Sequence, residues 1–160
     1  MALALEIVRQ MLDYHYGLQE KLWESIMTLS DEQFVAGIPF SHGSIRNQMV
    51  HLASTDGGWL RGLQGVPGSR SFHYPPEEHA TRESAHAICR QSAEEVTAYA
   101  ETLDEADLQR RPPDMPLTIW QTLLHLVNHG TDHRAQVLHA LHRLGAPTFD
   151  QDLVFYLMSR

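Results

Sequence analysis

Hydrophobic residues recur along the first part of the chain at the three- and four-residue spacing of an amphipathic helix. Between residues 3 and 29 they form a single stripe of Leu5, Val8, Leu12, Leu22, Ile26 and Leu29. This stripe predicts a first helix over residues 3–29, which should stop near Ser30. The next segment, residues 31–43, is interrupted by two glycines and a proline.

Three more helical segments follow, separated by breaks rich in glycine and proline. A second helix is predicted from its N-cap Ser44 to about Leu63, and a third from Arg82 to Leu103. The fourth and longest should begin after the cap Thr118 and reach about Leu144. A short helix over residues 150–158 follows. Because no strand-like alternation is present, the pattern predicts an all-α, four-helix bundle with a short C-terminal helix.

The length, net charge and cysteine content of the chain limit the kinds of protein it can be. A chain of 160 residues has the size of a single domain, expected here over residues 1–160. The net charge of -8 is scattered and no basic patch is present, so we expect no nucleic-acid partner. The single cysteine, Cys89, excludes an internal disulfide and fits a reducing cytoplasm. Neither a signal peptide nor a membrane-spanning stretch is recognisable, so we expect a cytoplasmic protein without a membrane partner.

The unusual feature of the composition is 11 histidines, five of them in the predicted fourth helix. His129 and His133 are four residues and about 40° apart around the helix axis. They lie at the edge of an apolar arc roughly 200° wide, broader than one bundle face needs. Two imidazoles in this arrangement can reach one metal ion, although such pairs also arise by chance in a histidine-rich chain. His125 points to the polar side, and His139 and His142 are expected at the surface or an interface.

A reactive metal site usually takes three protein ligands and keeps one position open. His51 is the best third candidate, since it lies in the middle of the second helix on the flank of its apolar stripe. The alternative is a core histidine that is hydrogen-bonded to a carbonyl. His15 in the first helix is a reserve ligand.

Two charged residues occupy positions where apolar residues are expected. Asp56 falls within the stripe of the second helix, and Arg134 within the arc of the fourth. Buried charges need partners, so we hypothesise that these two pair between the helices, close to the metal. The alternative is that one or both are solvated at the bundle end or lie at a subunit contact.

These segments resemble the DinB/YfiT-like family of metal-binding four-helix bundles over almost the whole chain. The resemblance is carried by MLDYHYGLQEKLW, by GSIRNQMVHLASTDGGWLRGLQG around His51, and by LLHLVNHGTDHRAQVLHALHRLG. The last segment is the most specific, because the family pattern there is His, three residues, then His-Arg-Gly-Gln. It matches here from His129 to Gln136, with Ala135 in place of the usual glycine.

The resemblance implies a divalent metal, often nickel or zinc, held by three histidines that match His51, His129 and His133. It also implies a homodimer, which agrees with the broad arc of the fourth helix. Some relatives are thiol-dependent S-transferases that use a low-molecular-weight thiol, and others are described as hydrolases. No catalytic residue is assigned, and no organic cofactor is implied.

Three functions remain open from the sequence. The first is a metal-dependent transferase or hydrolase that binds a thiol or water at an open coordination position, with a small-molecule substrate. The second is a non-catalytic metal-binding protein of the stress response, and the third is a bundle without a metal. A general base is unassigned, with Glu77, Glu78 and His79 on a loop as candidates.

Overall fold

The computed structural model describes residues 3–159. The helices are, in order, α1 (Leu3–Ile26), α2 (Asp31–Val35), α3 (Ile45–Leu63), α4 (Arg82–Glu101), α5 (Ile119–Arg143) and α6 (Leu153–Met158). Three short 3-10 turns, at Ser69–Ser71, Pro76–Glu78 and Asp107–Gln109, lie in the connections. Residues 3–159 contain no strand, and four of the helices are long, which confirms the predicted all-α bundle. None of these helices is both long enough and apolar enough to cross a membrane.

The predicted helix starts are confirmed by their caps. Ser44 Oγ accepts a hydrogen bond from the Asn47 backbone N–H at 3.0 Å, which fixes the first turn of α3. At the start of α5, Gln121 Oε1 accepts from the Thr118 backbone N–H at 3.0 Å. The predicted ends were less accurate, since α1 and α4 each end before the last predicted residue.

Helix α2 was not predicted. Ser30, expected to end the first helix, instead caps a new one: its Oγ accepts from the Gln33 backbone N–H at 3.2 Å. In return, Gln33 Oε1 accepts from the Ser30 N–H at 2.9 Å. This reciprocal capping box stabilises a single turn that buries Phe34.

Helix α3 occupies the centre of the arrangement, packed against both α4 and α5, while α1 packs against α5 and α4. The buried side chains form two clusters. One lies around Leu12, Ile119 and Leu123, and the other around Trp23, Met49 and Val137. The pairing of α3 with α5 matters for the site, because their facing sides carry the candidate ligands.

The broad apolar arc of α5 is largely covered by this chain itself. Val137 and Leu141 are buried in one cluster, whereas Leu123 and Leu126 are buried in the other. Trp120 is half-buried against the first cluster. The width of the apolar arc therefore reflects packing on several neighbouring helices of the same chain. It does not by itself support the homodimer that the family resemblance implies.

Candidate metal centre

The three predicted ligands come together between α3 and α5. His51 Nε2 lies 3.1 Å from His129 Nε2. The ring of His133 has its centroid 4.5 Å from that of His129 and 5.0 Å from that of His51. The i, i+4 spacing on α5 brings two imidazoles one turn apart into edge-to-face contact, and α3 supplies the third from across the interface.

Gln48, one turn before His51 on α3, fixes the ring of His133. Its Oε1 lies 2.8 Å from His133 Nδ1, and both side chains are buried. A carbonyl oxygen only accepts, so Nδ1 must carry the proton and donate it. The lone pair of His133 is thereby left on Nε2, the tautomer that can bind a metal.

Burial keeps these imidazoles neutral. Burial, together with the neighbouring rings of His42 and His133, lowers the pKa of His51 to about 4. Burial likewise lowers the pKa of His129 to about 3, assisted by His133 and His51. The pKa of His133 is also lowered, again mainly by burial. At neutral pH the side chains are thus already in the unprotonated form that metal binding requires.

A fourth histidine, His42, was missed by the sequence analysis. It lies in the loop before α3, and its ring stacks on that of His51 with centroids 3.9 Å apart. One ring nitrogen of each of His42, His51 and His133 lies within 4.8 Å of the others, a grouping that could hold a metal ion. Helical periodicity could not reveal His42, because periodicity carries no information about the course of a loop.

The four side chains of His42, His51, His129 and His133 form the histidine group. The other histidines considered in the sequence analysis, His15, His125, His139 and His142, lie outside it. The ring of His125 is half-buried, 5.1 Å from Trp59 and 5.7 Å from His129, so it packs on the flank of the site. His15, the reserve ligand, is buried with its Nδ1 2.6 Å from Arg134 Nη1. A guanidinium only donates, so this Nδ1 lone pair is already used. His139 and His142 are exposed.

The predicted pairing of Asp56 with Arg134 is wrong. Both side chains are buried, and each hydrogen-bonds to a residue of α1 instead of to the other. Asp56 Oδ2 accepts from the Tyr16 hydroxyl at 3.2 Å, whereas Arg134 donates to His15 and, through Nη2, to Thr131 Oγ1 at 3.0 Å. Within residues 3–159 no ion pair joins Asp56 to Arg134, and neither is solvated as the alternative held.

Asp56 is buried with a neutral hydrogen-bond partner and no cation beside it in residues 3–159, which predicts an unusual pH dependence. Burial raises the pKa of Asp56 to about 7, and the hydrogen bond from Tyr16 offsets only part of this shift. The folded chain therefore keeps a proton that the unfolded chain releases near pH 4, so this residue costs stability as pH rises from 4 to 7.

In Asp56→Asn this cost should disappear. Relative to the variant, the metal-free wild type should lose about 2 to 3 kcal/mol of unfolding free energy between pH 5 and pH 8. Urea unfolding of both proteins at the two pH values measures this difference, and the histidine titrations cancel because both proteins share them. An equal difference at both pH values would contradict the assignment.

A cavity of about 550 Å³ borders the histidine group, and His51 forms part of its wall. Its apolar lining includes Trp59, Phe72, Met115 and Pro116, and its polar lining includes Thr55 and Arg70. The Arg61 guanidinium stacks on the Phe72 ring at 3.7 Å, which holds that ring in place. Of the loop residues considered as a general base, Glu77 and Glu78 are exposed, and His79 packs on Tyr74.

Comparison with known protein families agrees with this geometry. The model of the DinB family matches residues 1–160. The chain belongs to the DinB family. None of the curated proteins that were compared with the chain matches it. Members of the DinB family bind metals, and His42, His51 and His133 of this chain form a group that could hold a metal ion.

The donor set of the DinB-family chain fits a divalent transition metal. Imidazole nitrogens suit zinc, nickel, copper and iron, whereas magnesium and calcium prefer oxygen. The rings are neutral, the tautomer of His133 is fixed by Gln48, and within residues 3–159 the buried His129 Nδ1 has no hydrogen-bond partner. The Nε2 atoms of His51 and His129 lie 3.1 Å apart, so both rings present a nitrogen toward the same point between α3 and α5.

Proposed function

We propose that this chain is a metal-dependent enzyme, a thiol-dependent S-transferase or a hydrolase. Its His51, His129 and His133 would bind one divalent metal, zinc or nickel. The observation that supports this most is the convergence of the three imidazoles beside a cavity large enough for a small molecule, with His51 in the cavity wall. A metal buried away from such a cavity would favour a structural role instead.

The protein side chains would set the charge of the site. Three neutral imidazoles leave the full positive charge of a divalent ion uncompensated, so an anionic ligand is favoured beside them. A metal bound there would supply Lewis acidity, which would lower the pKa of a coordinated water to near neutrality and deprotonate a coordinated thiol. Thr55 Oγ1, 3.5 Å from His51 Nε2 on the cavity side, is placed to orient a polar atom of the incoming molecule.

The cavity favours a substrate with an apolar body and a polar or anionic group. Trp59, Phe72 and Met115 offer aromatic and thioether surface, which packs well on a flat or branched apolar group. Arg70 is an exposed residue that borders the same space; its Nη2 donates to the Asp114 carbonyl at 2.9 Å, and its other N–H groups would bind an acidic group. We therefore expect an aromatic or branched electrophile to be a better acceptor than a small hydrophilic one.

A thiol-transfer assay tests the proposal. Protein loaded with zinc or nickel is mixed with a low-molecular-weight thiol, such as cysteine or glutathione, and a chlorodinitrobenzene as aromatic acceptor. Thiol consumption should exceed that of chelator-treated protein by at least about tenfold. It should also be lost in His129→Ala and kept in His142→Ala, which removes an exposed histidine from the same helix.

Hydrolysis of activated esters and amides is assayed in parallel, since coordinated water would serve there in place of the thiol. Metal-loaded protein that binds metal but accelerates neither reaction, across a panel of acceptors, would contradict the enzyme proposal. That result would instead favour the alternative function, a non-catalytic metal-binding protein of the stress response.

A further inference from the structure

His42 contacts the histidine group from a loop rather than from a helix. Its ring lies face to face with that of His51, and its centroid is 5.2 Å from the ring of His133. A ring nitrogen of His42 lies within 4.8 Å of nitrogens from both of these residues. Unlike them, His42 is exposed, so burial in a core does not explain its position.

The loop holds His42 in place through its backbone. Ser41 and Gly43, its two neighbours, both have positive φ angles, 52° and 82°. Serine rarely adopts this conformation, and such backbone strain is concentrated at functional sites. Asn47 Nδ2 donates to the His42 carbonyl at 2.8 Å, and the Ile38 N–H donates to the Gly43 carbonyl at 2.8 Å. The loop therefore turns the side chain back toward the histidine group.

We propose that His42 is a fourth ligand of the metal, contributed by this loop. The inference rests on the proposed function, since it assumes a metal at His51, His129 and His133. A fourth imidazole near the others adds a donor of the type that zinc and nickel accept.

The exposed position of His42 makes a fourth ligand compatible with a site that must also bind a thiol or water. A histidine on a surface loop can leave a metal without moving a helix, so a thiol or water can take its position. Among residues 3–159, the lining of the 550 Å³ cavity includes His51 but not His42. Replacement of His42 should therefore alter metal binding without removing a wall of the cavity.

Two substitutions separate ligation from stacking. His42→Ala removes both the ring and its nitrogens, whereas His42→Phe keeps an aromatic ring for His51 but has no donor atom. Both variants, the wild type and His133→Ala are titrated with Zn²⁺ against a competing chelator. They are then loaded with Co²⁺, whose visible spectrum reports coordination number and ligand type.

If His42 is a ligand, both variants should bind Zn²⁺ about 10- to 100-fold more weakly than wild type, because ordering an exposed loop offsets part of the gain. Both should also share a changed Co²⁺ spectrum. Wild-type affinity and spectrum in His42→Phe, whatever His42→Ala does, would overturn the inference and leave a stacking role. Failure of the proposed site itself is distinguishable, because His133→Ala would then bind Zn²⁺ as tightly as wild type.

Discussion

Replacing His129 by alanine should abolish metal binding while the helical fold persists. His129 is half-buried and its Nε2 faces His51 Nε2 at 3.1 Å, so the substitution removes a central donor but little core volume. Loss of residues that merely support a ligand already weakens metal binding 10- to 100-fold, so loss of a ligand should cost more than about 100-fold. Elemental analysis of untagged protein reloaded with zinc or nickel measures the metal content, and circular dichroism measures helicity.

The effect of His129→Ala is compared with two other ligand variants and with a control variant. His51→Ala and His133→Ala should lose the metal as His129→Ala does, whereas His142→Ala should keep about one ion per chain. Metal retained by His129→Ala would remove this residue from the site. Collapse of the fold in all three ligand variants would show that the metal is structural, because its binding energy would then be needed for folding.

Helix geometry explains which parts of the site were predictable. The i, i+4 relation between His129 and His133 follows from the helix repeat, and the hydrogen bond from the Asn47 N–H to Ser44 follows from capping chemistry. The choice of His51 needed the family resemblance, since periodicity alone left a core histidine equally possible. His42 depends on positive φ angles at Ser41 and Gly43, and hydrophobic periodicity does not encode them.

The partners of the buried charges show a second limit of periodicity. The pattern placed Asp56 and Arg134 inside the bundle, and both are buried. Periodicity predicts which face of a helix is buried. It does not predict how far one helix is shifted along its axis relative to another, because that shift is set by the packing of their side chains. Asp56 therefore hydrogen-bonds to Tyr16, and Arg134 to His15. Tyr16 and His15 are adjacent in the sequence of α1, so neighbouring residues of α1 bind the two charges that were predicted to pair.

Gly130→Ala should destabilise the chain strongly, although alanine is the better helix former. In a helix interior alanine is favoured over glycine by about 1 kcal/mol. At Gly130, however, the added Cβ would lie 1.9 Å from His15 Cε1 and 2.5 Å from His15 Nδ1. His15 is buried and bound to Arg134, so its ring cannot swing away without breaking that contact. Overpacking of this kind should exceed the gain in helix propensity and leave a net loss of about 2 kcal/mol or more.

Thermal unfolding of the metal-free protein should show this loss as a decrease in Tm of roughly 4–8 °C. A double-mutant cycle with His15→Ala identifies its cause, because the smaller side chain makes room for the new Cβ. The cost of leaving Arg134 without its imidazole acceptor is common to both proteins that carry His15→Ala, and it cancels in the cycle. Gly130→Ala should then be close to neutral or stabilising in the His15→Ala background. An equal destabilisation in both backgrounds would mean that α5 does not approach α1 as closely at Gly130 as the contact with His15 requires.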